Sequence, residues 1–600
     1  MKRFLTLLAS CVLTLSLQAQ HEQGITHSGQ PTGQSPFPLE HYRELNNPVK
    51  TDSTLWKKTG PVQISWASAD LRYPKEKPYT GQQTTQLTRS AWRGEKVNGQ
   101  FVVWGTEHLE QLHFEVSPLR HRKAAYSIPK ENLLTGFVRY VLTDELNKDK
   151  RGSCGARTIA HFDSTLVADP IDHLTNTLPY RGYTTQGCWI GIQVPTEAPS
   201  GSYAGEIVVK DGDRTLQKLQ IALQVSERAL PEVKEWAFHL DLWQNPYAIA
   251  RYHRTEPWSD AHLEAMRPYM ELYRNAGGKV VTASIMHKPW NGQTYDFFES
   301  MVTWTRKVDG TWQFDYDVFD RWVEFMFGLG INKQINCYSM VPWRLSFQYF
   351  DQATNQLKEI ATQPGEKAYE ELWTAMLQSF ARHLKEKGWF DKTYISMDER
   401  PMEVMLETLK IIRKADPEFK ISLAGALHPE LINELDDYCV ALRMKYTDEM
   451  LERRKAAGKI TTFYTSCEEP HPNTFTFCHP TDCQWFGWYA AKAHLDGYLR
   501  WALNSWVIEP LLDSRFYSFG AGDTYLIYPG ARTCIRFEQL IQGVQAYEKI
   551  RLLRLEYRQH PNVLQQIDRA LTYIDEQTLS KVPSEKAIRK AQQLLRKIGF

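Results

Sequence analysis

Hydrophobic and polar positions alternate in two different ways along this chain of 600 residues. Between residues 62 and 225, short runs such as 99–104 and 112–116 alternate apolar and polar side chains, and turns rich in Gly, Pro and Asp separate them. A period of two is typical of half-buried strands. The pattern predicts an N-terminal antiparallel β-sandwich over residues 61–230.

Beyond Pro231 the pattern changes to strand-like apolar runs that alternate with amphipathic helical segments. We predict eight such strands, each followed by a helix, of which the segment 429–435 is the shortest. Eight units over residues 231–556 favour a (β/α)8 TIM barrel, in which catalytic residues lie at the C-terminal ends of the strands. A doubly wound open sheet is disfavoured, because no glycine-rich phosphate loop follows any strand. Residues 557–600 are expected to form C-terminal helices on the outside.

The N-terminal residues have the pattern of a targeting segment. Lys2 and Arg3 precede an apolar run over residues 4–17, and Ala19 supplies a small residue for cleavage. These features predict a signal peptide over residues 1–20 and a polar leader or linker over 21–60. No later run is long enough for a transmembrane segment. We therefore expect an exported bacterial protein, periplasmic or associated with the cell surface, with lipid anchoring through Cys11 as a weaker alternative.

Composition narrows the range of partners. The 71 Lys and Arg residues balance the 70 Asp and Glu residues, which disfavours a nucleic-acid surface. Many of the 19 Trp residues stand in polar, loop-like contexts. Flat aromatic faces suit a glycan partner, although ordinary core packing accounts for many of them. Cys467, Cys478, His479 and Cys483 cluster without a familiar zinc spacing, so disulfides or free thiols are favoured and neither a metal nor a cofactor is expected.

One segment combines a buried strand with two acids. Residues 393–395 are strand formers, Asp398 and Glu399 follow directly, and Pro401 forbids further strand. Adjacent carboxylates repel one another, which raises the pKa of at least one and keeps it protonated near neutral pH. The alternative is that Asp398 caps the next helix and Glu399 is merely solvated.

The ends of the other predicted strands carry further acids, indoles and phenols. If the barrel closes, these groups form one ring at its mouth, which favours a carbohydrate site. For each member alone, packing in a loop or the core explains the residue equally well, and for the histidine a structural role is the better interpretation. The predicted substrate-binding residues are Asp241, Trp243, His287, Tyr338, Trp343, Tyr464, Asn504, Trp506, Asp523 and Tyr528.

Cleavage of a glycosidic bond needs a proton for the leaving oxygen and stabilisation of an oxocarbenium-like centre. We predict that Glu399 is the general acid and later the base. Two routes supply the second role: attack by a carboxylate, Glu468 or Glu469, or attack by the oxygen of a 2-acetamido group on the sugar while Asp398 holds the amide N–H. A third hypothesis is a non-catalytic glycan-binding protein with a decayed barrel.

The segment 395–401 resembles the Asp-Glu-Pro signature of glycoside hydrolase family 123, the exported β-N-acetylgalactosaminidases, and segments 522–530 and 535–538 resemble a second block of that family. The resemblance spans roughly residues 60–560. It implies a retaining hydrolase that releases terminal β-linked N-acetylgalactosamine by the substrate-assisted route, with Asp398 orienting the acetamido group and Glu399 as acid and base. Arg400, between Glu399 and Pro401, departs from the signature. The galacto preference rests on the resemblance alone.

Overall fold

The computed structural model describes residue 39 and residues 42–144, 165–469, 471–579 and 581–600. The predicted signal peptide, Cys11 and most of the first half of the predicted leader lie outside these residues. None of the helices in the described ranges combines the length and apolar character that a membrane span requires.

Two sheets form the N-terminal region. One has the order β1-β3-β10-β7-β8 and the other β2-β12-β11-β4-β9, with β5 and β6 attached to β11. All neighbouring pairs are antiparallel except β2 with β12. Apolar side chains from both sheets enclose one core, which confirms the predicted sandwich. The strands are β1 (Gln63–Ala67), β2 (Gln86–Arg93), β3 (Lys96–Gly105), β4 (Leu109–Val116), β5 (Leu119–His121), β6 (Ser127–Ile128), β7 (Leu133–Thr143), β8 (Thr165–Asp172), β9 (Leu178–Tyr180), β10 (Thr184–Gln193), β11 (Gly201–Asp211) and β12 (Arg214–Ala229).

Twelve further strands follow, and eight of them form the barrel. The barrel order is β13-β24-β23-β22-β21-β20-β17-β14, and every neighbouring pair is parallel. A bridge between Leu240 and Gly278 brings the first strand beside the second and nearly closes the ring, which confirms the predicted TIM-like fold. The strands are β13 (His239–Leu242), β14 (Val280–Ser284), β15 (Thr303–Arg306), β16 (Trp312–Asp315), β17 (Gln334–Tyr338), β18 (Ser346–Asp351), β19 (Gln356–Ala361), β20 (Thr393–Met397), β21 (Lys420–Gly425), β22 (Asp437–Ala441), β23 (Ile460–Tyr464) and β24 (Gly497–Arg500).

The α-helices lie around the barrel and at the C-terminal end. They are α1 (Pro246–His253), α2 (Asp260–Asn275), α3 (Asp317–Gly328), α4 (Lys367–Lys387), α5 (Met402–Ala415), α6 (Asp448–Ala456), α7 (Thr481–Lys492), α8 (Ile535–Glu556), α9 (Pro561–Leu571) and α10 (Ser584–Leu595). The predicted helix 429–435 is wrong: only a 3-10 turn, Pro429–Leu431, connects β21 to β22. Seven residues are too few for a stable α-helix, and His428 at the N-cap makes no capping hydrogen bond.

A small sheet that the sequence pattern did not reveal stands beside the barrel. It has the order β16-β15-β18-β19, and it is built from insertions after the second and third barrel strands. A turn at Asp309 and Gly310 joins its first hairpin, where the Asp309 carboxylate accepts the Thr311 N–H at 2.9 Å. Because both insertions follow C-terminal ends of barrel strands, the sheet buttresses the loops at the mouth.

Buried ion pairs hold the sandwich against the barrel. Asp169 accepts hydrogen bonds from Arg536 at 2.9 Å and from the Tyr528 hydroxyl at 2.7 Å, and Asp172 accepts one from Arg532 at 2.7 Å. Despite desolvation, the guanidinium charges keep the pKa of both carboxyls below its ordinary value. The segment 522–538 therefore anchors one domain on the other.

The barrel interior is polar below its mouth, where many barrels carry branched aliphatic side chains. The Gln334 amide donates to Asp437 at 2.7 Å, and the Asn336 amide donates to Asp241 at 3.1 Å. Burial is the main cause that raises the pKa of Asp241 to about 7. His239 lies 3.4 Å from Asp437 in the same layer. Inward-facing positions on these strands alternate, so the next inward residue on β13 is Trp243, at the mouth.

Candidate active site

The strand β20 delivers the acid pair to the mouth. Its alternate residues face inward: the Ser396 hydroxyl lies 2.6 Å from that of Ser422 on the neighbouring strand β21, and Ser422 donates to Asn336 of the polar interior at 3.4 Å. Asp398 continues this inward side. The strand ends at Met397, so Glu399 is released from the alternation that would turn it outward. Both acids can therefore face the same space at the mouth, although they are neighbours in sequence.

Three hydrogen-bond donors surround the Asp398 carboxylate. Its Oδ2 accepts from the indole Nε1 of Trp290 at 3.1 Å and of Trp343 at 3.3 Å, and its Oδ1 accepts from the Glu399 backbone N–H at 2.8 Å. Burial raises the pKa of Asp398, while the Arg400 charge and these donors oppose the rise. The donors orient a carboxylate that is able to accept a further N–H from a ligand.

Arg400, the residue that departs from the family signature, supports this arrangement. Its guanidinium carbon lies 4.1 Å from the centroid of the Trp343 ring, and its Nε donates to the Val341 carbonyl at 3.0 Å. Such a cation–π contact stabilises the position of the indole. Because Trp343 is itself 45% exposed, Arg400 is the side chain that keeps it over Asp398.

Glu399 points across the mouth to the opposite side of the barrel. Its Oε1 accepts a hydrogen bond from the hydroxyl of Tyr464, the last residue of β23, which is three strands away from β20. Desolvation raises the pKa of Glu399, and the negative charges of Asp398 and Glu468 raise it further, against the effects of Tyr464 and Arg443. The side chain nevertheless remains open to solvent at the mouth. A raised pKa on an accessible carboxyl suits a general acid.

Aromatic rings line the space around the two acids. The ring of Trp243 lies 4.8 Å from that of Trp290 and 4.5 Å from that of Tyr338, centroid to centroid. Tyr338 and Tyr464 belong to the same cluster as these indoles. In both tyrosines burial is the main cause of a raised pKa, and the Asp398 charge adds to it. Both carboxylates therefore bond to members of one aromatic cluster, Asp398 to Trp290 and Glu399 to Tyr464.

The candidate nucleophiles of the alternative route are held in different ways. Glu469 is nearly buried, and its Oε2 accepts from both the backbone N–H and the hydroxyl of Ser466 at 2.8 Å. Glu468 is exposed and forms an ion pair with Arg443. The turn thus fixes Glu469, while Glu468 stays close enough to influence the charge state of Glu399.

Three predicted substrate contacts have their polar atoms satisfied inside the protein. Asn504 donates to the Asn245 carbonyl at 2.8 Å and accepts the Asn245 N–H at 3.0 Å. The indole of Trp506 donates to the Ile527 carbonyl at 2.7 Å, and Tyr528 binds Asp169. All three are fully buried, so we leave them out of the site proposed below.

Three others lie near the mouth without facing it directly. Asp241 occupies the polar layer below Trp243. Asp523 is buried, and its Oδ1 accepts from Arg500 and from the Trp501 indole at 2.8 Å. Trp501 packs on the aromatic cluster at the mouth, so Asp523 contacts that cluster only through the Trp501 ring. The His287 ring lies 2.7 Å from the Glu299 carboxylate, in keeping with the structural interpretation of this histidine.

The structure adds residues that sequence reasoning did not include in the site. Trp290 and Arg443 face Asp398 and Glu399, and Arg400 was noted only as a departure from a motif. A signal for Trp290 was present, since it follows Pro289 directly beyond a predicted strand. Cys483 is a buried free thiol, Cys478 is also buried, and Cys467 is disulfide-bonded. No cluster of three or more His, Cys, Asp or Glu residues within the described ranges has a metal-binding arrangement.

Comparisons with known proteins find matches to both domains of the chain. A family model described as the catalytic domain of glycoside hydrolase 123 matches residues 243–553, and a model of the N-terminal domain of the same family matches residues 66–211. A solved family 123 glycoside hydrolase from Clostridium perfringens superposes with a TM-score of 0.80 at 26% identity, covering 90% of this chain and 98% of that one. A family 39 glycoside hydrolase from Bacteroides cellulosilyticus gives a TM-score of 0.31 at 11% identity, covering 77% and 82%. No curated protein matches the chain.

Proposed function

The chain belongs to glycoside hydrolase family 123, and from this premise we propose that it releases terminal β-linked N-acetylgalactosamine from glycans with retention of configuration. The proposed catalysis is substrate-assisted: the 2-acetamido group of the bound sugar is the nucleophile. Asp398 and Glu399 carry the two protein roles, and no cofactor enters the scheme.

In the first step, protonated Glu399 gives its proton to the glycosidic oxygen as the bond to the anomeric carbon breaks. The acetamido oxygen attacks that carbon and forms a cyclic oxazolinium ion. Asp398, held by the two indoles, accepts the amide N–H and stabilises the positive charge that develops on the ring. Tyr464 binds Oε1 of Glu399, which leaves Oε2 for the leaving group.

In the second step, ionised Glu399 removes a proton from a water molecule that attacks the anomeric carbon. The oxazolinium ring opens, the acetamido group is restored, and Glu399 is protonated again. Because the anomeric carbon is attacked twice from opposite faces, the product keeps the β-configuration. Trp243, Trp290, Tyr338 and Trp343 supply aromatic surface for the sugar, and Trp501 adds a further ring held by Asp523.

One observation carries the proposal: two neighbouring acids bond to different members of one aromatic cluster at the barrel mouth. Asp398 has fixed donors and the neighbouring Arg400 charge, which suits an orienting carboxylate. Glu399 is raised in pKa and accessible, which suits proton transfer. The galacto configuration rests on the family resemblance. The Clostridium perfringens structure is described as showing glycolipid glycan hydrolysis, so glycolipid glycans belong among the candidate substrates.

The decisive assay compares aryl β-N-acetylgalactosaminide, aryl β-N-acetylglucosaminide and aryl β-galactoside on the same enzyme. We expect the first to be cleaved best and the plain galactoside to be inert. Glu399→Gln should remove nearly all turnover of a substrate with a poor leaving group, and Asp398→Asn should lower turnover for every leaving group. Equal cleavage of the plain galactoside would exclude the acetamido nucleophile.

The route with an enzymic nucleophile is separated by covalent trapping. A fluoro-sugar that labels Glu468 would establish that route, whereas an unlabelled enzyme inhibited by a thiazoline mimic of the cyclic intermediate would support ours. The fixed hydrogen bonds of Glu469 argue against that residue. Absence of turnover on any aryl β-hexosaminide, with glycan binding retained, would instead favour the non-catalytic hypothesis.

We further propose that the protein is exported, on the strength of the charged and apolar pattern of residues 2–19. Fractionation of cells that express the full chain tests this, with activity expected in the periplasmic or surface fraction. Activity that stays with the cytoplasmic fraction would contradict it.

A further inference from the structure

A cavity of about 300 Å³ lies at the end of the barrel opposite the acid pair. Lys279 immediately precedes β14 and Lys333 immediately precedes β17, so both stand at N-terminal strand ends. Arg274, near the end of α2, and Lys234, in the segment that joins the sandwich to the barrel, complete the basic part of the lining. Four cationic side chains therefore converge on one cavity.

Most of this positive charge has no carboxylate partner among the described residues. Lys279 is only 8% exposed, and its ammonium group makes no hydrogen bond or ion pair there. The Arg274 guanidinium donates to the Asn275 side-chain oxygen and the Leu329 carbonyl, which are uncharged. Lys333 likewise forms no ion pair within those ranges. Only Lys234 is matched, by Glu232 at 2.7 Å.

The charges also act on one another. Desolvation, opposed by the charge of Glu548 and aided by the positive charge of Lys333, lowers the pKa of Lys279 to about 8. The Glu548 carboxylate is already engaged, since it accepts the Phe238 N–H at 2.8 Å and a hydrogen bond from Arg551 at 2.9 Å. The Lys279 side chain is largely desolvated and its ammonium group has no partner among the described residues, an unfavourable arrangement that a bound anion relieves.

We propose that this cavity is a binding site for a tetrahedral oxyanion, a sulfate or phosphate group, either free or as a monoester on a sugar. Arg274 offers a planar fork of donors and Lys279 and Lys333 offer point charges, a combination that suits several oxygens around one centre. The cavity is larger than a single ion needs, which leaves room for the sugar of an ester. The site is distinct from the acid pair and independent of the proposed hydrolysis.

Isothermal titration of the full chain tests the site with sodium sulfate, sodium phosphate and N-acetylgalactosamine 6-sulfate, each against sodium chloride at matched ionic strength. We expect saturable binding of at least one oxyanion in the millimolar range or tighter, and none of chloride. Lys279→Met removes the buried charge with little change in volume and should abolish binding. Lys333→Ala, at an exposed position, should weaken it about tenfold, the loss of one charged hydrogen bond.

Lys57→Ala, an exposed change in the segment before β1, is the matched control and should bind like the parent. Preference for the sugar ester over both inorganic ions that is lost in Lys279→Met identifies a sulfated glycan as the ligand, and equal binding identifies the free ion. Heats that match chloride for all three probes, or unchanged binding in both Lys279→Met and Lys333→Ala, would overturn the proposal. Turnover of the aryl substrates is measured on the same samples, so failure of this site is distinguished from failure of the proposed hydrolysis.

Discussion

Removing one indole donor from Asp398 tests whether this carboxylate must be ionised for turnover. In Trp290→Phe the ring stays in the aromatic wall, and the hydrogen bond of 3.1 Å to Oδ2 is lost. That donor favours the ionised carboxylate and so lowers the pKa of Asp398. Its loss therefore raises the pKa, and the acidic limb of the pH profile should move to higher pH.

The size of the shift follows from the strength of the bond. A hydrogen bond to a charged group contributes about 1.5–3 kcal/mol, and part of it persists when the acid is neutral. A net difference of about 1.4 kcal/mol corresponds to a shift of about one pKa unit. Trp343→Phe should shift the limb less, because its bond is longer, at 3.3 Å, and its indole is 45% exposed.

The assay is the pH dependence of kcat/KM on an aryl β-N-acetylgalactosaminide, which reports the ionisations of the free enzyme. The two acids are neighbours, so each limb belongs to the pair, and the comparison between variants carries the result. Trp243→Phe is the control, since it alters the same wall and takes no donor from Asp398. An acidic limb that stays in place in Trp290→Phe, or moves to lower pH, would refute the orienting role of Asp398.

Three further predictions concern the second acid and the domain contact. Glu468→Gln removes a negative charge that raises the pKa of Glu399, so the alkaline limb of the pH profile of kcat/KM should move to lower pH. Arg443→Gln removes a positive charge that lowers this pKa, so the same limb should move to higher pH. Shifts of the same sign in the two variants would contradict the prediction. Arg536→Met leaves Asp169 buried with one guanidinium fewer, so the free energy of unfolding should fall by about 3–5 kcal/mol in denaturant titrations. The exposed control Arg569→Met should unfold with nearly the same free energy as the parent. Because the folded pKa values of Asp169 and Asp172 are depressed, their contribution to stability is complete above about pH 4 and is lost as pH falls through the folded values. Thermal scans between pH 6 and pH 3 check the sign, and Asp169→Asn should flatten the dependence.

Local patterns were sufficient to predict the strand that carries the acids. Strand formers, two carboxylates and Pro401 occur within ten residues, and the alternation of strands and helices placed that strand in a barrel. Its partners lie far away in sequence: Trp290 is 108 residues and Trp343 is 55 residues from Asp398. No local pattern predicts which of 19 indoles meets which carboxylate. The inserted sheet was missed because its strands, three of them largely exposed, stand in connections between barrel units, where the alternation of strands and helices does not predict them.

The wrong helix and the buried Tyr528 show two further limits. The segment 429–435 has a helical apolar pattern but lacks the length that would stabilise a helix. Tyr528 follows the eighth strand, where a barrel places its functional loops, yet the 34-residue connection 501–534 turns back to the sandwich. Position after a strand is therefore not sufficient to place a residue at the mouth.

The buried ion pairs between Asp169, Asp172 and the arginines of the barrel have a consequence for protein engineering. Main-chain bridges from Leu142 to Asp513 and from Pro170 to Cys534 reinforce the same contact. If the barrel were expressed without the sandwich, Arg532 and Arg536 would lie on an exposed surface and would lose the carboxylates that pair with them. We therefore expect grafted or truncated variants to fold only when the sandwich and the barrel are kept together in one polypeptide.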